Sequence, residues 1–265
     1  MTLISAIMGT YNPNHRIFLA VESILNQDYE KLELIVYNDG SNDLMSIELL
    51  KKLVLNYPQV RYISSEINHG AAYARNQCAK IAKGDYLIIM DDDDVSSLNR
   101  LTSMIKFAKS HPDYDFYGSN ASLNTGNKTW GHIKTKKLTS IIDIYNANAY
   151  VHASMLIKKS VFDSINGYRN HVECHRLEDY DLFIRLYLNG YKGINSQEEL
   201  YHIYEEKNFY GKRSFKFRIR EFKLRLKYFK ILELKIKDIK YLFKPLVIAF
   251  IPSFIYKFIR IKKFD

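Results

Sequence analysis

Residues 84–95 read GDYLIIMDDDDV. The run from Tyr86 to Met90 is short and apolar, which is the length and composition of a buried strand. Four carboxylates, Asp91, Asp92, Asp93 and Asp94, follow it without a break, and no Lys or Arg appears until Arg100. Like charges at consecutive positions repel one another, so a chain that holds them at the end of a core strand is built to meet a counter-charge. Carboxylate oxygens suit a hard divalent cation, Mg2+ or Mn2+. An octahedral ion held by one or two of them keeps positions free for phosphate oxygens. The plain alternative is a solvated acidic turn that caps the next helix.

Toward the N-terminus, residues 3–8, 32–37 and 60–63 also read as strands. Each ends in turn chemistry, Gly9-Thr10-Tyr11-Asn12-Pro13, Asn38-Asp39-Gly40-Ser41 and Asn68-His69-Gly70. Helical periodicity follows in residues 16–26, 42–56 and 71–82. Three strand-loop-helix units ahead of the acidic strand predict an α/β fold with a mainly parallel sheet flanked by helices. Ligands gather at the carboxyl ends of strands in such sheets, so Thr10, Tyr11, Asp39, Asn68 and the four aspartates are expected along one edge.

Toward the C-terminus the pattern becomes mixed. Residues 98–109 read as a helix, 115–123 and 128–133 as strands flanking Asn124-Thr125-Gly126-Asn127, and 155–157 as a strand. A short helix over 160–165 is stopped by Asn166-Gly167, and 178–188 form an amphipathic helix opening on Glu178-Asp179-Tyr180-Asp181. Acidic residues at a helix N-terminus are favoured by the macrodipole, which is the reading taken for Asp181.

From Lys212, Phe215, Phe217, Ile219, Phe222, Leu226, Phe229 and Leu232 interleave with Lys and Arg at helical spacing, and Pro245 and Pro252 are expected to break the pattern. Residues 246–256 are mostly apolar, too short to span a bilayer, and flanked by Lys244, Lys257, Arg260, Lys262 and Lys263. That composition describes a helical segment lying in a membrane interface. The alternative is a C-terminal helix packed on the preceding domain with a solvated basic face.

The 265 residues, 47% hydrophobic and 14% aromatic, are enough for one large domain or a domain with an appendage, and exclude a disordered or fibrous chain. Cys78 and Cys174 fall in no spacing that describes a metal site or disulfide framework, so a reducing cytoplasm is expected. The N-terminus has no basic residue before its apolar run and reads as a strand, not a signal peptide; nowhere do 18 apolar residues run together. The net charge of +10 divides into −4 over residues 1–206 and +14 over residues 207–265. A tail of that sign suits an anionic membrane surface or a nucleic acid. Nucleic acid is disfavoured, because the acidic cluster repels phosphate and the basic residues are confined to the tail.

Thr10-Tyr11-Asn12, Asn38-Asp39-Gly40-Ser41, Asn68-x-Gly70 with Ala74-Arg75-Asn76, Gly84-Asp85-Tyr86 through Asp94, and Glu178-Asp179-Tyr180-Asp181-Leu182 occur in this order. In that order and spacing they resemble the family 2 glycosyltransferases, over roughly residues 3–205, among them enzymes of bacterial O-antigen and capsule assembly. The resemblance implies a GT-A (Rossmann-like) domain over 1–206, with a nucleotide-sugar-binding half at 1–95 and an acceptor-side half at 96–206, and a basic helical tail at 207–265. It implies a nucleotide-diphosphate-sugar donor, most often a UDP-sugar, a divalent metal, Mn2+ or Mg2+, and inversion at the anomeric carbon.

Position by position, the resemblance places Thr10 and Tyr11 at the nucleobase, Asp39 on the base, and Asn68 and Arg75 on the nucleotide. Asp91 and Asp93 match the outer carboxylates of the family's Asp-x-Asp, the second of which usually ligates the metal, while Asp92 fills the variable position beside the nucleotide sugar. Asp179 matches the family's base, with Glu178 as the second candidate. Residues 151–155 resemble the segment before the acceptor-side helix, which would bring His152 near donor or acceptor. Trp130, in the expected hairpin, is a candidate to stack on an acceptor sugar, with core packing as the alternative.

Two departures stand out. Gly9 occupies a position where many relatives have Pro, expected to loosen the loop. The segment that often reads Tyr-Arg-x-His is here Tyr201-His202-Ile203-Tyr204, leaving His202 as a possible metal ligand two positions from the family's histidine slot. The expected whole is a cytoplasmic enzyme, peripheral on the inner face of the bacterial cytoplasmic membrane, that adds a sugar to a lipid-linked saccharide. A non-catalytic nucleotide-sugar or membrane-surface binding module on the same fold is the alternative.

Overall fold

A computed structural model describes residues 2–146, 149–205 and 214–264. Strands β1 (Ile4–Thr10), β2 (Leu32–Asp39), β3 (Arg61–Ser65) and β4 (Tyr86–Met90) pair in parallel in the order β3-β2-β1-β4. Helices α1 (Arg16–Leu25), α2 (Leu44–Asn56) and α3 (Ala71–Ile81) make the crossovers. Strands buried on both faces carry continuous apolar runs, and Ile4, Ala6, Ile7 and Met8 of β1 and Leu87, Ile88, Ile89 and Met90 of β4 are fully buried. Ile7 and Ile35 pack against the small residues Ala74, Cys78 and Ala79 of α3 on one face; Ile4, Ala6 and Met8 pack with Ile17, Val21 and Ile24 of α1 on the other.

The second half is mixed. It contains β5 (Val95–Ser96), α4 (Arg100–Ser110), β6 (Phe116–Thr125), β7 (Lys128–Ile133), α5 (Ile141–Tyr145), β8 (Leu156–Lys158), α6 (Lys159–Ser164), α7 (Glu178–Leu188) and β9 (Gly193–Tyr204). β8 lies antiparallel to β4 and β6, β9 runs parallel to β6, and β5 pairs antiparallel with β9. The sheet order is β3-β2-β1-β4-β8-β6-β9-β5, with β7 on β6. β9 has no clean alternation in sequence because Asn195 and Ser196 are buried where Glu198 and Glu199 are exposed, and its register against β6 shifts around Gly118 and Asn120.

The tail forms α8 (Phe215–Ile231), α9 (Ile239–Phe250) and α10 (Ser253–Phe264); the boundary expected at 206–207 lies outside the described residues. α8 lays Phe217, Leu224 and Tyr228 on the preceding domain. Within that contact Glu221 holds Arg218 at 2.9 Å and Arg225 at 3.1 Å. Pro245 was expected to break the helical pattern and instead lies inside α9. The carbonyl it leaves without its helical donor, that of Tyr241, accepts from Arg225 Nη1 at 3.3 Å, which offsets the missing bond. Pro252 does break the helical pattern as expected, so that residues 246–256 divide between α9 and α10.

Two glycines serve close approach. Gly9 does not loosen a loop: it sits in β1, where a Cβ would meet Ala74 Cβ at 2.8 Å, so it lets α3 seat on the sheet. Gly40, at φ +73°, holds the turn after β2 against the backbone of Ile67 and Asn68.

Candidate active site

Because β1, β2 and β4 are parallel, Thr10, Asp39 and Asp91 all come to one edge of the sheet. There Thr10 Oγ1 donates to Asp92 Oδ2, joining the first loop to the acidic one. Asp39 accepts from the backbone N–H of His69 (3.0 Å) and Gly70 (2.6 Å), and Asn68 Nδ2 donates to the Asp39 carbonyl at 3.1 Å, so the loop before α3 is fastened to the end of β2. Tyr11 projects half-exposed from the first loop.

Arg75, projecting from α3, joins the two halves. Its Nη2 donates to Asp91 Oδ1 at 2.6 Å and its Nη1 lies 3.5 Å from Glu178 Oε1 at the start of α7. Burial alone would lower the Arg75 pKa, but Asp91 and the other anionic neighbours hold it above the ordinary value. Its Nε is buried without a partner among the described residues. Asp179, next to Glu178, accepts from the Tyr180 N–H at 2.7 Å.

The four aspartates are not equivalent. Burial would raise the Asp91 pKa, and Arg75 outweighs it and holds the carboxyl below its usual value. Asp92 is pushed up to about 7, by burial first and then by Asp93 and Asp91. Asp93 is raised by burial and by Asp91, and Asp94 well above the ordinary range by burial, Asp91 and Asp93. Among the described residues none of these last three makes an ion pair. No group of three His, Cys, Asp or Glu side chains among the described residues is arranged to hold a metal ion. The crowded carboxylates would fit a divalent ion whose remaining ligands came from phosphate oxygens and water.

His152 lies partly buried, close to this cluster. Burial, then Arg75, pushes its pKa down to about 4, so the ring is neutral at pH 7, and its Nε2 bonds the Tyr168 hydroxyl at 2.7 Å. His202 is placed elsewhere, in β9 opposite Val95, with Nε2 on Ser97 Oγ at 2.9 Å and Nδ1 on Ser122 Oγ at 2.7 Å. Both ring nitrogens are engaged by serine hydroxyls here. Trp130 lies on β7 with its indole N–H on the Glu205 carbonyl at 2.8 Å, and it does not line the cavity described below.

Several neighbours of the acidic loop were not legible in the sequence. The Tyr201 hydroxyl accepts from the Asp91 N–H at 3.1 Å, and the Tyr204 N–H donates to Asp94 Oδ1 at 2.8 Å. The Arg16 guanidinium stacks 3.5 Å over the Tyr204 ring while its Nε donates to the Asp93 carbonyl. Arg100, the first cation after the acidic run, is fully buried and spends its charge on carbonyls, those of Ile89 (2.9 Å) and Ala153 (2.8 Å), and not on the aspartates. Asp181 is also fully buried. It accepts from Arg169 (2.5 Å), Arg185 (2.7 Å) and Tyr228 (2.5 Å), so ion pairing, more than the helix dipole, explains it.

A cavity of about 690 Å³ opens beside this edge, lined by Gly9, Thr10, Tyr11, Asp39 and Asn68 together with Glu178 and the segment ahead of α7. Its volume falls in the range of small-molecule sites.

Comparison with known proteins accords with this geometry. Residues 5–165 match the family model for glycosyl transferase family 2. The chain is 30% identical over 254 residues to EpsE of Bacillus subtilis (strain 168), covering 94% of this chain and 90% of that one. It is 29% identical over 137 residues to the Escherichia coli UDP-Glc:alpha-D-GlcNAc-diphosphoundecaprenol beta-1,3-glucosyltransferase WfgD, covering 52% and 53% of the two chains. Among solved structures it is similar to S. aureus TarS 1-349 in complex with UDP-GlcNAc, at TM-score 0.69, 17% identity, 94% of this chain and 72% of that one. The mannosyltransferase PcManGT from Pyrobaculum calidifontis, in complex with GDP-Man and Mn2+, aligns at TM-score 0.63 and 17% identity over 95% of this chain and 71% of that one. The fold is GT-A.

Proposed function

The chain belongs to glycosyl transferase family 2, and on that premise we propose that it is an inverting glycosyltransferase. It moves a sugar from a nucleotide-diphosphate donor, a UDP-sugar, to a hydroxyl of a lipid-linked saccharide during assembly of a bacterial surface polysaccharide. The observation that carries this reading is the Arg75 bridge, which puts the acidic end of β4 and the acidic start of α7 in one site. Single displacement needs those two functions on opposite sides of the reacting sugar.

In this reading Thr10, Tyr11, Asp39, Asn68 and Arg75 hold the nucleotide, Asp91 and Asp92 face its sugar and diphosphate, and Asp93 with Asp91 holds the Mg2+ or Mn2+. A divalent ion there would offset the charge that develops on the departing diphosphate. Asp179 removes the acceptor hydroxyl's proton as that oxygen attacks, Glu178 being turned toward Arg75. Neutral, partly buried His152 offers a hydrogen bond at the sugar without adding charge.

The membrane part of the reading rests on the tail. α9 and α10 expose Val247, Phe250, Phe254 and Phe258, with Phe250 78% and Phe254 73% accessible, beside Lys257, Lys262 and Lys263. Large exposed apolar side chains rimmed by cations describe a surface that enters an anionic membrane interface. No helix among the described residues is long and apolar enough to cross a membrane.

Thermal stabilisation by UDP, dTDP, GDP and CDP, each with and without Mn2+, tests the donor site. One nucleotide should stabilise only with metal, and Asp93→Asn should abolish the effect. If no nucleotide stabilises with metal present, the transferase reading fails and a non-catalytic surface-binding module takes its place.

A further inference from the structure

The turn from Asp91 to Asp94 crowds four like charges, and each of its residues is held from elsewhere in the chain. Tyr201 takes the Asp91 N–H, Thr10 donates to the Asp92 carboxylate, and Asp94 accepts the Tyr204 N–H at 2.8 Å. Asp93 is held differently. Arg16 Nε donates to its main-chain carbonyl at 2.7 Å, a bond that leaves the carboxylate out. Arg16 thus fixes where Asp93 stands without consuming the oxygens that an ion needs. Its guanidinium lies over the Tyr204 ring, 3.5 Å from the ring centre, so the two side chains grip adjacent residues of the turn, one from the start of α1 and the other from the end of β9. Arg16 is the first residue of α1, where the macrodipole disfavours a cation, and the first turn of that helix holds no acidic residue to offset it. A residue that breaks a local rule marks a place where another constraint decides.

We propose that Arg16 and Tyr204 form a positioning clamp for the cation site, holding the turn so that the Asp93 carboxylate is presented to the ion. This rests on the glycosyltransferase reading, in which Asp93 with Asp91 holds Mg2+ or Mn2+. A guanidinium has only donors and is no metal ligand. Tyr204, in the family's histidine slot, serves as the face on which that guanidinium rests. Groups that orient a ligand set metal affinity although they never touch the ion. Charge and positioning predict opposite signs here. If charge alone acts, removing a guanidinium beside a cation site takes away repulsion and tightens Mn2+. If Arg16 positions Asp93, its loss weakens Mn2+.

The Mn2+ concentration that gives half of the maximal thermal shift at saturating UDP, measured on the full chain, reads that sign. Arg16→Gln and Tyr204→Leu should each raise it roughly tenfold. Tyr204→Phe keeps the ring face and the main-chain N–H and should stay within about threefold. The double variant Arg16→Gln/Tyr204→Leu should lose no more than the larger single loss, because either substitution already opens the clamp. The urea midpoint of the metal-free protein should move little, which separates positioning from a structural role. Tyr204→Leu can keep every main-chain bond and carries the test if Arg16→Gln does not fold. Tighter or unchanged Mn2+ binding by Arg16→Gln would overturn the proposal, as would equal losses in Tyr204→Phe and Tyr204→Leu or losses that add in the double variant. Failure of the transferase reading shows separately, as the absence of any metal-dependent shift with the four nucleotides in the unsubstituted protein.

Discussion

Replacing Asp92 with Asn should make the ligand-free protein more stable, and more so at high pH than at low. The Asp92 carboxyl is pushed up to about 7 by burial and by its neighbours Asp93 and Asp91, against about 3.9 in an unfolded chain. A carboxyl with a raised folded pKa destabilises the fold once ionised. The cost is absent below the unfolded value, grows as pH rises from about 4 to about 7, and is complete above that. Three pKa units correspond to about 4 kcal/mol, which the partial solvent contact of the side chain brings to roughly 2–4 kcal/mol. Asn keeps an acceptor for the Thr10 hydroxyl, so the substitution removes the charge and spares that bond.

Urea unfolding of both proteins without metal, at about pH 8 and about pH 5, reads the effect, the gain at the lower pH being less than half that at the higher. In a thermal scan the gain at the higher pH is roughly 5 to 10 °C for a domain of this size. Adding Mn2+ should then stabilise the original protein more than the variant, because the ion supplies the counter-charge that the variant no longer needs. A variant that is less stable at the higher pH, or a gain independent of pH, would show that the cluster is already neutralised within the fold, and the case for a cation site would go with it.

Asp179→Asn should abolish sugar transfer and leave the UDP-dependent thermal shift with Mn2+ intact; losing both together would make Asp179 a binding residue and not the base. Asp181→Ala leaves Arg169 and Arg185 without their buried partner and should cost about 3–5 kcal/mol in urea unfolding, a loss below 1 kcal/mol refuting the placement. Burial pushes the Cys78 thiol up to about 12, and burial with Asp181 nearby pushes Cys174 up to about 11. Neither should react with a thiol reagent at pH 8 until the chain is unfolded, so prompt labelling of the native protein would contradict their burial.

The parallel half of the fold was legible because β1, β2 and β4 carry short apolar runs closed by turn residues, with a helical period between them, while the polar edge strand β3, RYISS, is marked mainly by the turn residues after it. β9 was not, since it is buried through polar residues. Asn195, fully buried, donates to the carbonyls of Lys136 (2.8 Å) and Ala149 (2.9 Å), a stabilisation that depends on segments far away in the chain. Pro245 was misread for a related reason. A proline breaks a helix when its missing N–H leaves a carbonyl unsatisfied, and here Arg225, from another helix, supplies a donor.

The same distinction runs through the site. Asp91 and Asp92 are adjacent and chemically identical, and nothing local separates them. Arg75, reaching across from α3, neutralises the first and leaves the second exposed to its neighbours' charge. Arg100 was the nearest cation in sequence and the natural partner to suspect, yet it is turned to carbonyls beneath the loop. An excess of charge is therefore visible in a sequence, but which group within it stays uncompensated depends on partners that the fold alone brings near.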